Sequence, residues 1–136
     1  MEVLEERRRL RERVISEARS WARSLPFRAT AILVGSYARG DFNKWSDVDV
    51  ILVSDLRGSP LERLSRVDHP PGYEVIPLTP SEFLALLRRG NPLAVEAAEV
   101  GVVLRDDFGL LGTLSRSRGR PGGTLERSSG EPSGGG

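Results

Sequence analysis

No cysteine occurs among the 136 residues, so neither a disulfide framework nor a thiolate metal centre is open to this chain. A single histidine, His69, rules out a zinc site unless carboxylates supply nearly every ligand. Glutamine is absent, asparagine is rare and the only methionine is the first residue. A thermophile avoids these thermolabile types, and a GC-rich genome would leave the same trace together with the arginine excess. No run approaches the ~20 apolar residues of a membrane span. The opening "MEVLEERRRLRERV" is charged throughout and lacks an apolar core of signal-peptide length, so the expectation is a soluble, cytoplasmic protein. Excess charge is missing too: at net +1, no overall field calls for nucleic acid or membrane as a partner.

What the sequence does hold is an alternation of short strands and helices, sized for one domain. Apolar residues from Val3 to Leu25 recur at three- and four-residue steps, predicting an amphipathic helix over 2–24 that Pro26 stops. "FRATAILVG" and "DVDVILV" read as strands separated by the turn-rich "GDFNKWS". "SPLERLSRV" predicts a short helix capped by Ser59, and "GYEVIPL" a third strand whose proline suits an edge or a strand end. Thr79, Pro80, Glu82 and Gly90 supply start and stop signals for a helix over "TPSEFLALLRRG". A further helix over "NPLAVEAAEVG", a strand at "VVLRD" and a weak helix over 107–116 follow. After about Gly119 the chain turns to Gly, Ser and Pro, predicting a disordered tail over 119–136 and a folded domain over 1–118. The expected architecture is a small mixed sheet in an α/β (α+β) domain, with helices on one face and the other open to a cleft.

Chemistry concentrates in "GSYARGDFNKWSDVDVILV", residues 35–53, which also holds the chain's one lysine, Lys44. Asp47 and Asp49 lie one residue apart on a strand, so their side chains share a face, about 6.5–7 Å apart along the strand. Val48, Val50 and Leu52 then point to the opposite face. Paired carboxylates repel unless a cation lies between them, and hard oxygen ligands of this kind suit Mg²⁺ or Mn²⁺. By itself D-x-D is also what a solvated strand end presents. Gly35 permits a sharp turn after a strand, and Ser36 can open a short helix whose backbone N–H groups suit phosphate oxygens. No P-loop or dinucleotide fingerprint is present. The cluster "EERRRLRER" reads as a solvated helix face laced with Glu–Arg pairs, with RNA or protein docking as the other reading.

Taken together, a strand, Gly35-Ser36, ten intervening residues and Asp47-Val48-Asp49 on a second strand resemble the active-site signature of the polymerase-β-like nucleotidyltransferase superfamily. The nearest resemblance within it is to the minimal nucleotidyltransferases. The Arg-Gly-Asp turn after Ala38, and Ser46 before the first aspartate, are also similar to that group. The resemblance spans residues 27–105, a catalytic core preceded by the long helix usual in the family.

It implies two Mg²⁺ ions (Mn²⁺ as the alternative) on Asp47 and Asp49, with Gly35 and Ser36 holding the β- and γ-phosphates of an NTP, ATP being the expected donor. Arg39 and Lys44 are the cations expected to neutralise phosphate charge. The family's third carboxylate aligns with Glu74, where aspartate is usual, so Glu74 is the expected third catalytic residue and metal ligand. Asp68, in a Pro-flanked loop, is its alternative, and His69 is a loop residue. The resemblance further implies transfer of AMP to an acceptor from outside the chain. A small helical HEPN-type partner protein, in a toxin–antitoxin pair, is the expected acceptor. The rival readings are a non-catalytic nucleotide- or partner-binding module, and a transferase acting on RNA or a small molecule; net charge disfavours nucleic acid.

Overall fold

The structure, a computed structural model, describes residues 2–110 and 112. Its elements run α1 (Glu2–Ser24), β1 (Ala29–Val34), α2 (Ser36–Arg39), β2 (Val48–Ser54), α3 (Pro60–Leu64), β3 (Tyr73–Leu78), α4 (Pro80–Arg88), α5 (Pro92–Glu99) and β4 (Val102–Asp106). The helix starts form as the sequence predicts. Ser59 and Thr79 each accept from the backbone N–H three residues on, and Glu62 and Glu82 close the two capping boxes. Asn91 caps α5 through the N–H groups of Leu93 and Ala94. The tail expected over 119–136, and half of the weak helix expected over 107–116, lie outside the described residues. Among the described residues, no helix is long and apolar enough to cross a membrane.

The four strands form one mixed sheet in the order β3-β2-β1-β4. β1 runs antiparallel to β2 and β4, and β2 runs parallel to β3. β3 is a sheet edge, which accommodates Pro77 and its missing donor.

Helices cover both faces of this sheet, where the sequence led us to expect one. On the first face Val14, Ala18, Trp21 and Ala22 of α1 pack against Leu33, Val50, Leu52 and Val75. On the second, Phe83 of α4 and Ala94 and Ala97 of α5 pack against Ile32, Val34, Ile51 and Val53. The physical reason lies in β1 and β2. Their near-continuous apolar runs leave neither side fit for water, as in strands buried on both faces. Leaving Ile32, Val34, Ile51 and Val53 in water would cost roughly 1.5–3 kcal/mol apiece.

Two features interrupt the second face and set up the site. In β2 the side chains on that face run Asp49, Ile51, Val53, and in β3 they run Glu74, Ile76, Leu78. The apolar layer therefore gives way to carboxylates at the end where both strands begin. Gly101 lets α5 sit close to the sheet: a Cβ there would lie 2.5 Å from the Ala97 carbonyl oxygen and 2.6 Å from Ile32 Cγ2. That close approach brings the last turn of α5 against β1.

Candidate active site

The site grows from the end of β1. Gly35 follows Val34 with φ +77°, a left-handed conformation that side chains resist, and its carbonyl accepts from the N–H groups of Ala38 and Arg39 to start α2. A Cβ at Gly35 would come within 2.2 Å of Asp49 Oδ2. Glycine is thus required twice, for the turn and for the aspartate that presses against it. The antiparallel register sets this contact, since Val34 lies opposite Asp49.

The parallel register places Glu74 directly beside Asp49 on the same face, with the two backbones about 4.8 Å apart. Asp47 precedes β2 by one residue and is exposed, as is Glu74, whereas Asp49 is half-buried. Asn43 builds the turn leading to Asp47. Its side chain accepts from the Trp45 N–H, its carbonyl accepts from the Ser46 N–H, and the Ser46 hydroxyl accepts from the Asn43 N–H. The serine before the first aspartate therefore braces the loop. Burial pushes the Asp49 carboxyl above its ordinary range, and the negative charges of Glu74, Asp47 and Glu96 push it the same way against the pull of Arg39.

Glu96 is the residue that sequence reasoning missed. It stands in the last turn of α5, and its Oε2 accepts a hydrogen bond from the Gly35 N–H. Its other oxygen accepts from Arg39 Nη1 at 3.0 Å, and Arg39 Nε also donates to Asp41 at 3.3 Å. A glutamate between Ala94 and Ala97, both buried, was the available signal: it had to lie at the margin of a packed face.

Two arginines of the α1 cluster also have a role that the sequence did not show. Arg7 donates to the carbonyls of Phe42 and Gly40, and Arg11 to those of Tyr37 and Ala38. Together they brace the segment between the glycine turn and Asp47 from behind. The remaining pairs, Arg8 with Glu5 and Glu12 and Arg9 with Glu5, are the solvated helix face that the sequence suggested.

The other candidate residues separate by location. Ser36 is the half-buried first residue of α2. Arg39 joins the site through Glu96. Lys44 is exposed, with its Nζ 4.6 Å from the centre of the Trp45 ring, and lines a groove with Val3, Leu10 and Phe42. No described contact brings it to the carboxylates. Asp68 lies in the loop before β3, where its carbonyl accepts from Trp21 of α1 on the other side of the sheet; His69 is exposed in the same loop.

As the side chains stand, no three His, Cys, Asp or Glu residues among those described converge on one ion. The donor set still fits Mg²⁺ or Mn²⁺, which take one or two carboxylates and complete their shell with water and substrate phosphates. The cradle at Gly35, which only an absent side chain keeps open beside Asp49 Oδ2, fits the same use.

Comparison with known proteins bears on what this arrangement does. No curated protein matches the chain. It is similar in structure to a candidate nucleotidyltransferase from Sulfolobus solfataricus, at 20% sequence identity and a TM-score of 0.48, over 76% of this chain and 86% of that one. The model of the nucleotidyltransferase domain matches residues 8–84, more than half of the sequence and the whole segment from Gly35 to Glu74. The chain belongs to the nucleotidyltransferase domain family.

Proposed function

We propose that this nucleotidyltransferase transfers AMP from ATP to a protein acceptor in a Mg²⁺-dependent reaction, with Asp47, Asp49 and Glu74 as its catalytic carboxylates. The observation that carries the proposal is the convergence at one strand end. Asp49 presses on the Gly35 turn and Glu74 stands in register beside it.

Asp47 and Asp49 would hold up to two Mg²⁺ ions, with Mn²⁺ as the alternative, and Glu74 would complete the ligand set. Bound there, such ions neutralise charge along the triphosphate and acidify the acceptor hydroxyl. The Gly35-Ser36 turn would hold the β- and γ-phosphates, and Arg39 would balance their charge. Glu74, exposed beside Asp49, would take the acceptor's proton. The acceptor oxygen then bonds to the α-phosphorus, the bond from that phosphorus to the bridging oxygen breaks, and pyrophosphate leaves. Glutamate in place of the family's usual aspartate lengthens the reach by one methylene, which an exposed side chain on an edge strand can accommodate.

A protein acceptor, such as a small helical HEPN-type partner, is supported by the surface. Arg7 and Arg11 are held by internal carbonyls, and Arg8 and Arg9 are paired with glutamates, so four of the five arginines in the cluster at the start of α1 are engaged within the chain. Trp45, 79% exposed and two residues before Asp47, is the kind of aromatic that protein partners bury.

The test is transfer from ATP labelled at the α- or the γ-phosphate, with the full chain, Mg²⁺ and proteins that co-purify with it. Label from the α-position alone should appear on a protein. Binding of MgATP with no transfer would support the non-catalytic module, and α-label on RNA or on a small molecule would move the acceptor class.

A further inference from the structure

Glu96 lies beyond residues 8–84, the span that the family model matches, and none of the three catalytic carboxylates requires it. Its geometry is nevertheless specific. One oxygen takes the Gly35 N–H and the other takes the Arg39 guanidinium, so a single carboxylate joins two donors from the β1–α2 turn to α5. The side chain is 20% exposed, enclosed enough for these bonds to count and open enough for it to swing outward. These donors are the ones assigned above to the phosphate chain.

We propose that Glu96 is an internal stand-in for the triphosphate: its carboxylate competes with phosphate oxygens for Gly35 and Arg39, and it must withdraw before the β- and γ-phosphates can be held. The inference rests on the reading of Gly35 and Arg39 as phosphate-holding groups. A carboxylate and a phosphate are both anions with paired oxygens, and the same N–H cannot serve both. Withdrawal leaves Arg39 still paired with Asp41, so the guanidinium keeps a partner while it turns to the ligand. Once displaced, Glu96 is one more negative charge beside an anionic ligand, which adds to the cost of entry. A ligand with only an α-phosphate does not reach these donors and does not meet this barrier. Glu96 therefore sets how much the β- and γ-phosphates contribute to affinity.

The experiment compares wild type with Glu96→Gln and Glu96→Ala, using the full chain, folding checked by circular dichroism, and titrations with MgATP, tripolyphosphate and AMP. Both variants should bind MgATP and tripolyphosphate roughly tenfold more tightly, the scale of one charge-assisted hydrogen bond no longer surrendered, with AMP affinity unchanged. In wild type, whose fold is not in question, the Gly35 amide resonance and the Glu96 side-chain carboxyl resonance should both move on adding tripolyphosphate. Equal or weaker MgATP binding by folded variants, or a Glu96 resonance that stays put while wild type binds, would overturn the stand-in role and leave the nucleotide site intact. If neither wild type nor variant binds MgATP or tripolyphosphate, the nucleotide reading itself fails and the inference fails with it.

Discussion

The two ends of β3 carry acidic arrangements of opposite character. Near its end, Arg63 is buried and forks onto Glu82, Nη1 to Oε1 at 2.8 Å and Nη2 to Oε2 at 3.0 Å. The same guanidinium donates to the carbonyls of Gly58 and Pro77. The Arg63 fork and the Thr79 N–H drive the Glu82 carboxyl down to about 2. At the beginning of β3, Glu74 stands beside Asp49, and burial and neighbouring carboxylates push Asp49 the other way. One constellation is closed and satisfied; the other has four carboxylates against Arg39 and is short of positive charge. The difference separates an acidic group that holds the fold from one whose uncompensated charge suits a cationic ligand.

The sharpest way to break the comparison is Gly35→Ala. The added methyl would meet Asp49 Oδ2 on a backbone that alanine resists. On the proposed role of Asp49, we expect loss of transfer by at least about a hundredfold, from its displacement by the order of 1 Å. Thermal or denaturant unfolding should show a stability loss of about 1–3 kcal/mol.

Arg63→Ala tests the opposite end. It strips a half-exposed Glu82 of its partner and leaves the Gly58 and Pro77 carbonyls short of a donor. Stability should fall by about 2–3 kcal/mol with MgATP affinity unchanged, as calorimetric titration and melting would show. The pH dependence follows the sign of the shift. Because the folded-state value of Glu82 is depressed, its contribution is fully present above the ordinary glutamate value of 4.5. It is then lost as pH falls towards about 2. The stability gap between wild type and Arg63→Ala should therefore narrow over that acid range, leaving the part due to the Gly58 and Pro77 carbonyls, and stay at its full width above it.

The smallest effect belongs to Lys44→Ala. With its ammonium on the Trp45 ring and no described contact at the carboxylates, its removal should change MgATP affinity by less than about threefold, an exposed cation–π pair being worth ~0.5–1 kcal/mol. A tenfold loss would restore Lys44 to the phosphate site.

Most of this architecture was legible because the local signals agree with one another. Capping boxes, prolines and glycines marked the helix ends, and the two-residue period set Asp49 apart from Val50 and Leu52 within β2; that Glu74 shares the face of Asp49 came only with the parallel register. The covered second face was missed, although the unbroken apolar runs of β1 and β2 demand it. The strand period alone does not say which helix returns to cover them. Glu96 and the bracing arginines Arg7 and Arg11 were not legible, because each bonds a backbone group, 61, 35 and 26 residues away, respectively, and the side-chain partner of Glu96, Arg39, is 57 residues away. A backbone partner leaves no residue type to pair in the sequence. Lys44 shows the converse: a lone lysine in a motif suggests a role at the phosphates, and the contact it makes is with the neighbouring Trp45 ring.

The most direct test of the account is MgATP binding by Asp49→Asn, read by calorimetry beside its melting temperature. Removing a carboxylate whose ionisation burial and neighbours oppose should leave the metal-free protein as stable as wild type or more so. The same change should weaken MgATP binding by tenfold or more, because the charge that opposes folding is the one the cation needs. A variant that binds MgATP as tightly as wild type, or that melts well below it, would contradict the claim that Asp49 is held for a cationic ligand.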